Sequence, residues 1–360
     1  MKVGILTFHC AHNYGAMIQA YALQEQLRLM GHDSYIIDHR PDYLVDYYPR
    51  SVSFKSCIGT SFKATVKSLL NKIICSSIMA KRYDGFQNFY KTYMKLADYP
   101  SENGFSDFDY IVLGSDQIWF DSITGSISGP YYGDGINCKV IAYAASSRYK
   151  FLTEKQQADF KRVLSKLSSV GVRELSFAKL LQPLTDKKVH VNLDPTLLVS
   201  KEVFENLDLQ RPIKEKYVLT YEVSTNLGVQ EMVKEYAKAN GLKIISLTGH
   251  FNMHFIGRTF DLKASPRKML AYIKYADCVF TTSFHGTALS LVFEKPFYSI
   301  RQNNSADDRM DSLLTQLGLV QNFIEMTERP VTCSIDYDVI TPRLQELRRD
   351  SINYIKESII

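Results

Sequence analysis

The stretch KVGILTFHCAHNYGAMIQAYALQEQLRLMGHDSYIID, residues 2–38, decides the fold. KVGILTF is a short apolar run of the kind a buried strand requires. After the polar loop CAHNYG, the residues Ile18, Ala22, Leu23, Leu27 and Met30 recur at helical spacing until Gly31 stops the pattern. SYIID then supplies a second strand ending at Asp38. Strand, helix, strand is a βαβ unit, which leaves a loop at the carboxyl end of the first strand. That loop carries no G-x-G-x-x-G, so the dinucleotide fingerprint is absent.

Outward from this unit the alternation continues. DYIVLGSDQIW reads as a strand to Val112 and a loop, CKVIAYAASS as a strand to Tyr143, 153–168 as a helix, and VHVNLDPT as a short strand ending in Asp194 and Pro195. The charged run from Lys201 to Lys216 lacks strand character and marks a domain boundary. Beyond it come YVLTYEV, a helix over 227–240 closed by Gly241, KIISLTG, a helix over 265–275, DCVFTTS, a helix from His285 to Phe293, and KPFYSIR. The fold class is therefore α/β, with two Rossmann-like domains facing a cleft. The first is expected over 1–208 with a basic helical insertion near 51–105, and the second over 209–340. Residues 341–360, after a start at Pro342, are expected to form an amphipathic helix packing back across the interface.

A chain of 360 residues is long for one ordinary core and suits two domains of roughly 150 residues each. With 45% hydrophobic and 22% charged residues it has a globular composition, not a disordered one. The net charge of +5, with acids mixed among the bases, points to small anionic ligands and away from nucleic acid. Only Ser51 to Arg82 is basic with almost no acid, which fits a solvated helical insertion or a surface resting against a membrane or partner. The six cysteines show no CxxC pair and read as reduced. With no secretory h-region and no long apolar run, a cytoplasmic protein is expected, with peripheral contact at the inner membrane face left open. No metal site is expected: the histidines are scattered, and Asp307 and Asp308 are adjacent and so point in different directions.

TTSFHGTALSLVF, residues 281–293, places His285 and Gly286 in the first turn of a helix, where free N–H groups attract phosphate or carboxylate. An imidazole there would act as an acid if an anionic ligand kept it protonated; it could equally cap the helix or fill a crevice. Asn13, Tyr14 and Gly15 suit either a sugar pocket or an ordinary cap and turn. Asp116 and Trp119 stand at another strand end, Asp116 as a base, a sugar contact or a helix cap. Arg148 and Arg173 at strand ends suit a carboxylate or phosphate. Arg309, beside Asp307 and Asp308, either reaches the cleft or pairs on the surface. Asp194 before Pro195 reads as a turn-former.

HNYGAMIQAYAL, YIVLGSDQIW, YAASS, VRE, LDPTLL and above all TTSFHGTALSLVFEKPF, in this order over nearly the whole chain, resemble the polysaccharide pyruvyl transferase family. The resemblance implies a GT-B-like pair of Rossmann-type domains. It implies transfer of the enolpyruvyl unit of phosphoenolpyruvate onto a sugar of a surface polysaccharide or a lipid-linked oligosaccharide, with phosphoenolpyruvate as co-substrate and no further cofactor. His285 would protonate the methylene carbon, with Asp116 beside it. Arg173 would hold the donor together with Arg148, Arg309, Ser283, Gly286 and Thr287. Asn13, Tyr14, Gly15 and Trp119 would meet the acceptor. The chain has Ser283 where some members carry arginine two residues before the histidine, and Ala16 where many have aspartate; Arg148, Arg301 or Arg309 would compensate. Two other readings stay open: a GT-B-type glycosyltransferase using a nucleotide sugar, and a non-catalytic glycan-binding member of an assembly complex.

Overall fold

The structure is a computed structural model that describes residues 1–51, 62–100, 105–223, 226–248, 259–304 and 307–360, the side chains of 62–72 excepted. It contains two parallel sheets. The first is built from β1 (Lys2–Leu6), β2 (Asp33–Asp38), β3 (Leu96–Asp98), β4 (Tyr110–Leu113), β5 (Lys139–Ala145), β6 (Ser169–Val172) and β7 (Val189–Val191), in the order β3-β2-β1-β4-β5-β6-β7. The second is built from β8 (Tyr217–Glu222), β9 (Lys243–Thr248), β10 (Thr259–Phe260), β11 (Cys278–Thr281), β12 (Phe297–Ile300) and β13 (Phe323–Ile324), in the order β10-β9-β8-β11-β12-β13. Strands such as YIVL and CVFT are buried along their whole length because helices cover both faces of a parallel sheet.

Both sheets share one plan. The chain winds outward from the first strand, returns, and winds the other way, so β1 lies beside β4 and β8 beside β11. At such a reversal the following loops diverge and leave a crevice at the carboxyl ends of the strands. Here the two crevices face each other. The loops after β1 and β4 therefore meet the loop after β11, which brings the sequence motifs together.

The domains are packed against each other closely. One apolar cluster runs from Met17 and Tyr21 on the helix Tyr14–Leu29, through Leu197 and Phe204, to Phe284 and Leu291 in the second domain. The last helix, Tyr337–Ser358, begins ahead of Pro342, with the Asp336 side chain accepting from Asp338 N. It bonds to both domains. Arg343 donates to the Leu317 carbonyl at 3.0 Å, Tyr354 donates to the Ala142 carbonyl at 2.7 Å, and Leu193 N donates to Ser351 Oγ at 2.9 Å.

Of the basic stretch, residues 52–61 lie outside the described residues, and from Phe62 it forms the start of the helix Phe62–Tyr93. Phe86, Phe89 and Tyr90 bury the later part of that helix against the first domain. Among the described residues no helix is long and apolar enough to cross a membrane.

Candidate active site

Ser283 follows β11 with extended backbone and caps the helix Phe284–Val292, its Oγ accepting from Gly286 N at 3.4 Å. The cap occupies an N–H that an anion would otherwise use. Thr287 is fully buried, its hydroxyl sharing a 2.5 Å bond with Ser299 Oγ. Gly286 is dictated by packing, since a Cβ there would lie 2.9 Å from both Thr281 Cβ and Tyr221 Cδ1. Ser283, Gly286 and Thr287, expected to bind a donor, here spend their polar groups on building the turn.

His285, 8% exposed, extends from this turn across the domain interface. Its Nε2 lies 3.5 Å from Asp194 Oδ2 and makes no hydrogen bond of good geometry. The other side of the ring lies over Gly15. A Cβ on Gly15 would sit 2.5 Å from the ring Cγ, 2.6 Å from Cε1 and closer still to Nδ1. Gly15, expected as an acceptor contact, is therefore the gap that admits the imidazole.

The neighbours of Gly15 are also redefined. Asn13 is exposed and caps the first helix, Oδ1 accepting from Gly15 N at 2.9 Å. Tyr14 is buried, with Phe86 stacked 5.1 Å away and the Arg82 guanidinium 4.7 Å from its ring. Its hydroxyl donates to the Ala264 carbonyl at 2.7 Å in the other domain. Tyr14 is a clasp between domains and not a platform for a sugar.

Trp119 requires the same kind of correction. It is fully buried, its ring centre 6.0 Å from that of Phe160 and 6.2 Å from that of Phe177, and its indole N–H donates to the Tyr131 carbonyl at 2.9 Å. It fills the first domain's core, where the expected acceptor contact has no exposed indole surface to use. Trp119→Phe is expected to lower stability by about 1–3 kcal/mol through the orphaned carbonyl. A melting curve beside acceptor kinetics checks this; a raised acceptor KM would return Trp119 to the site.

The charged centre forms at the ends of β4 to β7. Arg173, buried, donates to Asp194, to Ser146 Oγ at 2.8 Å and to Glu174 Oε1 at 3.4 Å, and its guanidinium lies 5.0 Å from the Phe284 ring. Burial would weaken this cation, but Asp194 and Glu174 outweigh burial and raise its pKa. Burial likewise works to raise the Asp194 carboxyl, yet His285, then Arg173, hold it well below the usual carboxylate range.

Arg148, exposed, and Arg309, partly buried, have no ion pair among the described residues. Arg309 lies 5.7 Å from Phe284, and its Nε has no hydrogen-bond partner. Desolvation, with repulsion from Arg173, pushes Arg309 down to about 10, so it stays cationic at neutral pH. Desolvation also lowers Arg148, countered by Asp116. Asp116, in the loop after β4 with φ 69°, acts electrostatically on all three arginines.

The structure therefore brings His285, Asp116, Arg148, Arg173 and Arg309 together. To these it adds Asp194, Glu174 and Phe284, which sequence reasoning did not place in the site, and Ser146 of the AASSR motif. A cavity of about 220 Å³ adjoins Arg173, Asp194, Phe284 and Arg309 on the side of the last helix, where Leu347 and Ser351 also line it. Arg301 lies elsewhere, paired with Asp311 at 3.0 Å and Glu325 at 3.7 Å. Among the described residues no group of three or more metal-capable side chains gathers.

Comparison with known proteins adds two findings. A family model described as polysaccharide pyruvyl transferase matches residues 13–304. Solved structures match over nearly the whole chain at low identity. UDP-GlcNAc 2-epimerase from Neisseria meningitidis, bound to UDP-GlcNAc, is 10% identical with a TM-score of 0.48, over 99% of this chain and 100% of that one. UDP-GlcNAc 2-epimerase from Methanocaldococcus jannaschii is 11% identical with a TM-score of 0.48, over 98% and 93%. The glycosyltransferase SnogD from Streptomyces nogalater is 11% identical with a TM-score of 0.37, over 99% and 95%. No curated protein matches the chain.

Proposed function

The chain belongs to the polysaccharide pyruvyl transferase family, and from that premise we propose that it transfers the enolpyruvyl group of phosphoenolpyruvate to a sugar of a surface polysaccharide or its lipid-linked precursor. The product is a pyruvate ketal, with phosphate released. The observation that carries this reading is the gathering of Arg148 and Arg309, neither with a carboxylate ion pair among the described residues, around Arg173, which shares Asp194 with His285. A small donor bearing a carboxylate and a phosphate matches that excess of fixed positive charge.

In this reading Arg148 and Arg309 take the donor's anionic groups, while Arg173, already engaged by Asp194 and Glu174, contributes field and its remaining N–H groups. His285 gives a proton to the methylene carbon, and the π pair of the enol forms the new C–H bond. The adjacent carbon becomes oxocarbenium-like, and an acceptor hydroxyl adds to it. Loss of the C–O bond to phosphate and addition of a second hydroxyl complete the ketal. Of the two hydroxyl protons, one restores His285 and one leaves with phosphate, so the acid is regenerated. In this reading Asp116 relays the second of these protons from the acceptor hydroxyl to the departing phosphate.

The test is to incubate the protein with phosphoenolpyruvate and candidate lipid-linked glycans, following phosphate release and the added pyruvyl mass by mass spectrometry. Binding of a nucleotide sugar with no binding of phosphoenolpyruvate would turn the reading toward a glycosyltransferase. Arg309→Ala is expected to raise the KM for phosphoenolpyruvate roughly 10- to 100-fold, the loss of one or two charge-assisted hydrogen bonds. An unchanged donor KM removes Arg309 from the donor seat.

A further inference from the structure

We propose that Asp194 is a positioning residue: its carboxylate, in the first domain, holds the Nε2 proton of His285, in the second, and so presents Nδ1 as the atom that exchanges the reaction's proton. This rests on the reading of His285 as the acid.

The two oxygens of Asp194 have different tasks. Oδ1 caps the short helix Pro195–Leu198, accepting from Thr196 N at 3.0 Å and Thr196 Oγ1 at 2.7 Å. This is the turn-forming role legible in the sequence. Oδ2 is left to face the site, where it meets Arg173, Ser115 Oγ at 3.4 Å and His285 Nε2 at 3.5 Å. The carboxylate is 1% exposed, so its ionised form depends on these donors.

Nε2 is buried and makes no hydrogen bond, a costly state for a ring nitrogen. Among the described residues Asp194 is the carboxylate within 4 Å of Nε2. Such a pair fixes the tautomer of an imidazole and favours its protonated form. Arg173 keeps the carboxylate ionised, which stops Asp194 from taking the histidine's proton for itself.

The groups around the ring come from several elements. The end of β7 supplies Asp194, and through it the end of β6 supplies Arg173 and Glu174. The β4 loop supplies Ser115 on the same carboxylate and Asp116 toward the arginines. The first helix supplies Gly15 and Tyr14, β8 supplies Tyr221 beside Gly286, and the histidine's own helix supplies Phe284. Asp194 is thus the negative group in direct reach of Nε2.

The test uses the full chain labelled with 15N, with the His285 ring signals assigned by their loss in His285→Ala. The expected wild-type pattern is a neutral ring that carries its proton on Nε2 and leaves Nδ1 bare. A neutral ring protonated on Nδ1 with bare Nε2 would overturn the proposal without any variant of Asp194. In Asp194→Asn the Nε2–H preference should be lost, and kcat should fall by roughly 10-fold or more. A purely capping role predicts an unchanged ring pattern and kcat, which would also overturn it. If Asp194→Asn does not fold, the wild-type ring spectrum decides alone. If the wild type forms no ketal, the reading of the reaction fails while the ring measurement still judges Asp194.

Discussion

His285→Ala is expected to slow phosphate release from phosphoenolpyruvate in the presence of acceptor by roughly 10²- to 10⁴-fold, the usual range for a general acid. The fold should survive the change. The ring sits on the interface over Gly15, outside the apolar cluster that joins the domains, and its helix is capped by Ser283. Phosphate release measured beside a melting curve separates the two effects, and a wild-type rate would remove His285 from the chemistry.

Gly15→Ala should be nearly as damaging through a different cause. Gly15 is a helical residue outside the positive-φ region, so its backbone tolerates alanine. The conflict is with the imidazole, which a new Cβ would meet at 2.5 Å or less. To relieve it the ring must swing away from Asp194, or the domains must part. A loss of roughly 10²-fold or more in rate, with about 1–3 kcal/mol of stability from overpacking, is the expected result. The double variant Gly15→Ala, His285→Ala should regain that stability, because the clash exists only while the ring is present. If both single losses of stability simply add, Gly15 and His285 do not compete for the same space.

Much of the fold was legible because its central strands are continuous apolar runs between clear helix signals. The helix over 227–240, closed by Gly241, is read directly from its pattern and observed as Leu227–Asn240. β10 and β13, two residues each, and β3, three residues, carry too few positions for any period to show and exist because a sheet edge recruits them. The last helix starts at Tyr337 and not at Pro342, since Asp336 supplies the cap.

The site was legible in its location more than in its contacts. Strand ends can be read one by one, and His285, Arg148, Arg173, Asp116 and Arg309 all belong to such ends or the helices that follow. What each side chain touches depends on the other domain. Gly15 looks like a turn glycine until the histidine 270 positions along the chain is placed above it. Asp194 looks like a cap because one of its oxygens is a cap. Trp119 stands at a strand end, as an acceptor contact would, but its indole N–H meets the Tyr131 carbonyl inside the first domain's core.

The pairing of His285 with Asp194 across the interface has a consequence for the idle enzyme. The imidazole and the carboxylate are carried by different bodies, and the C-terminal helix fastens the backbone at Leu193, just ahead of Asp194, through Ser351. Separation of the bodies would leave Asp194 with Arg173 and carry His285 away, so the histidine–carboxylate pair is a product of domain packing and belongs to neither domain alone.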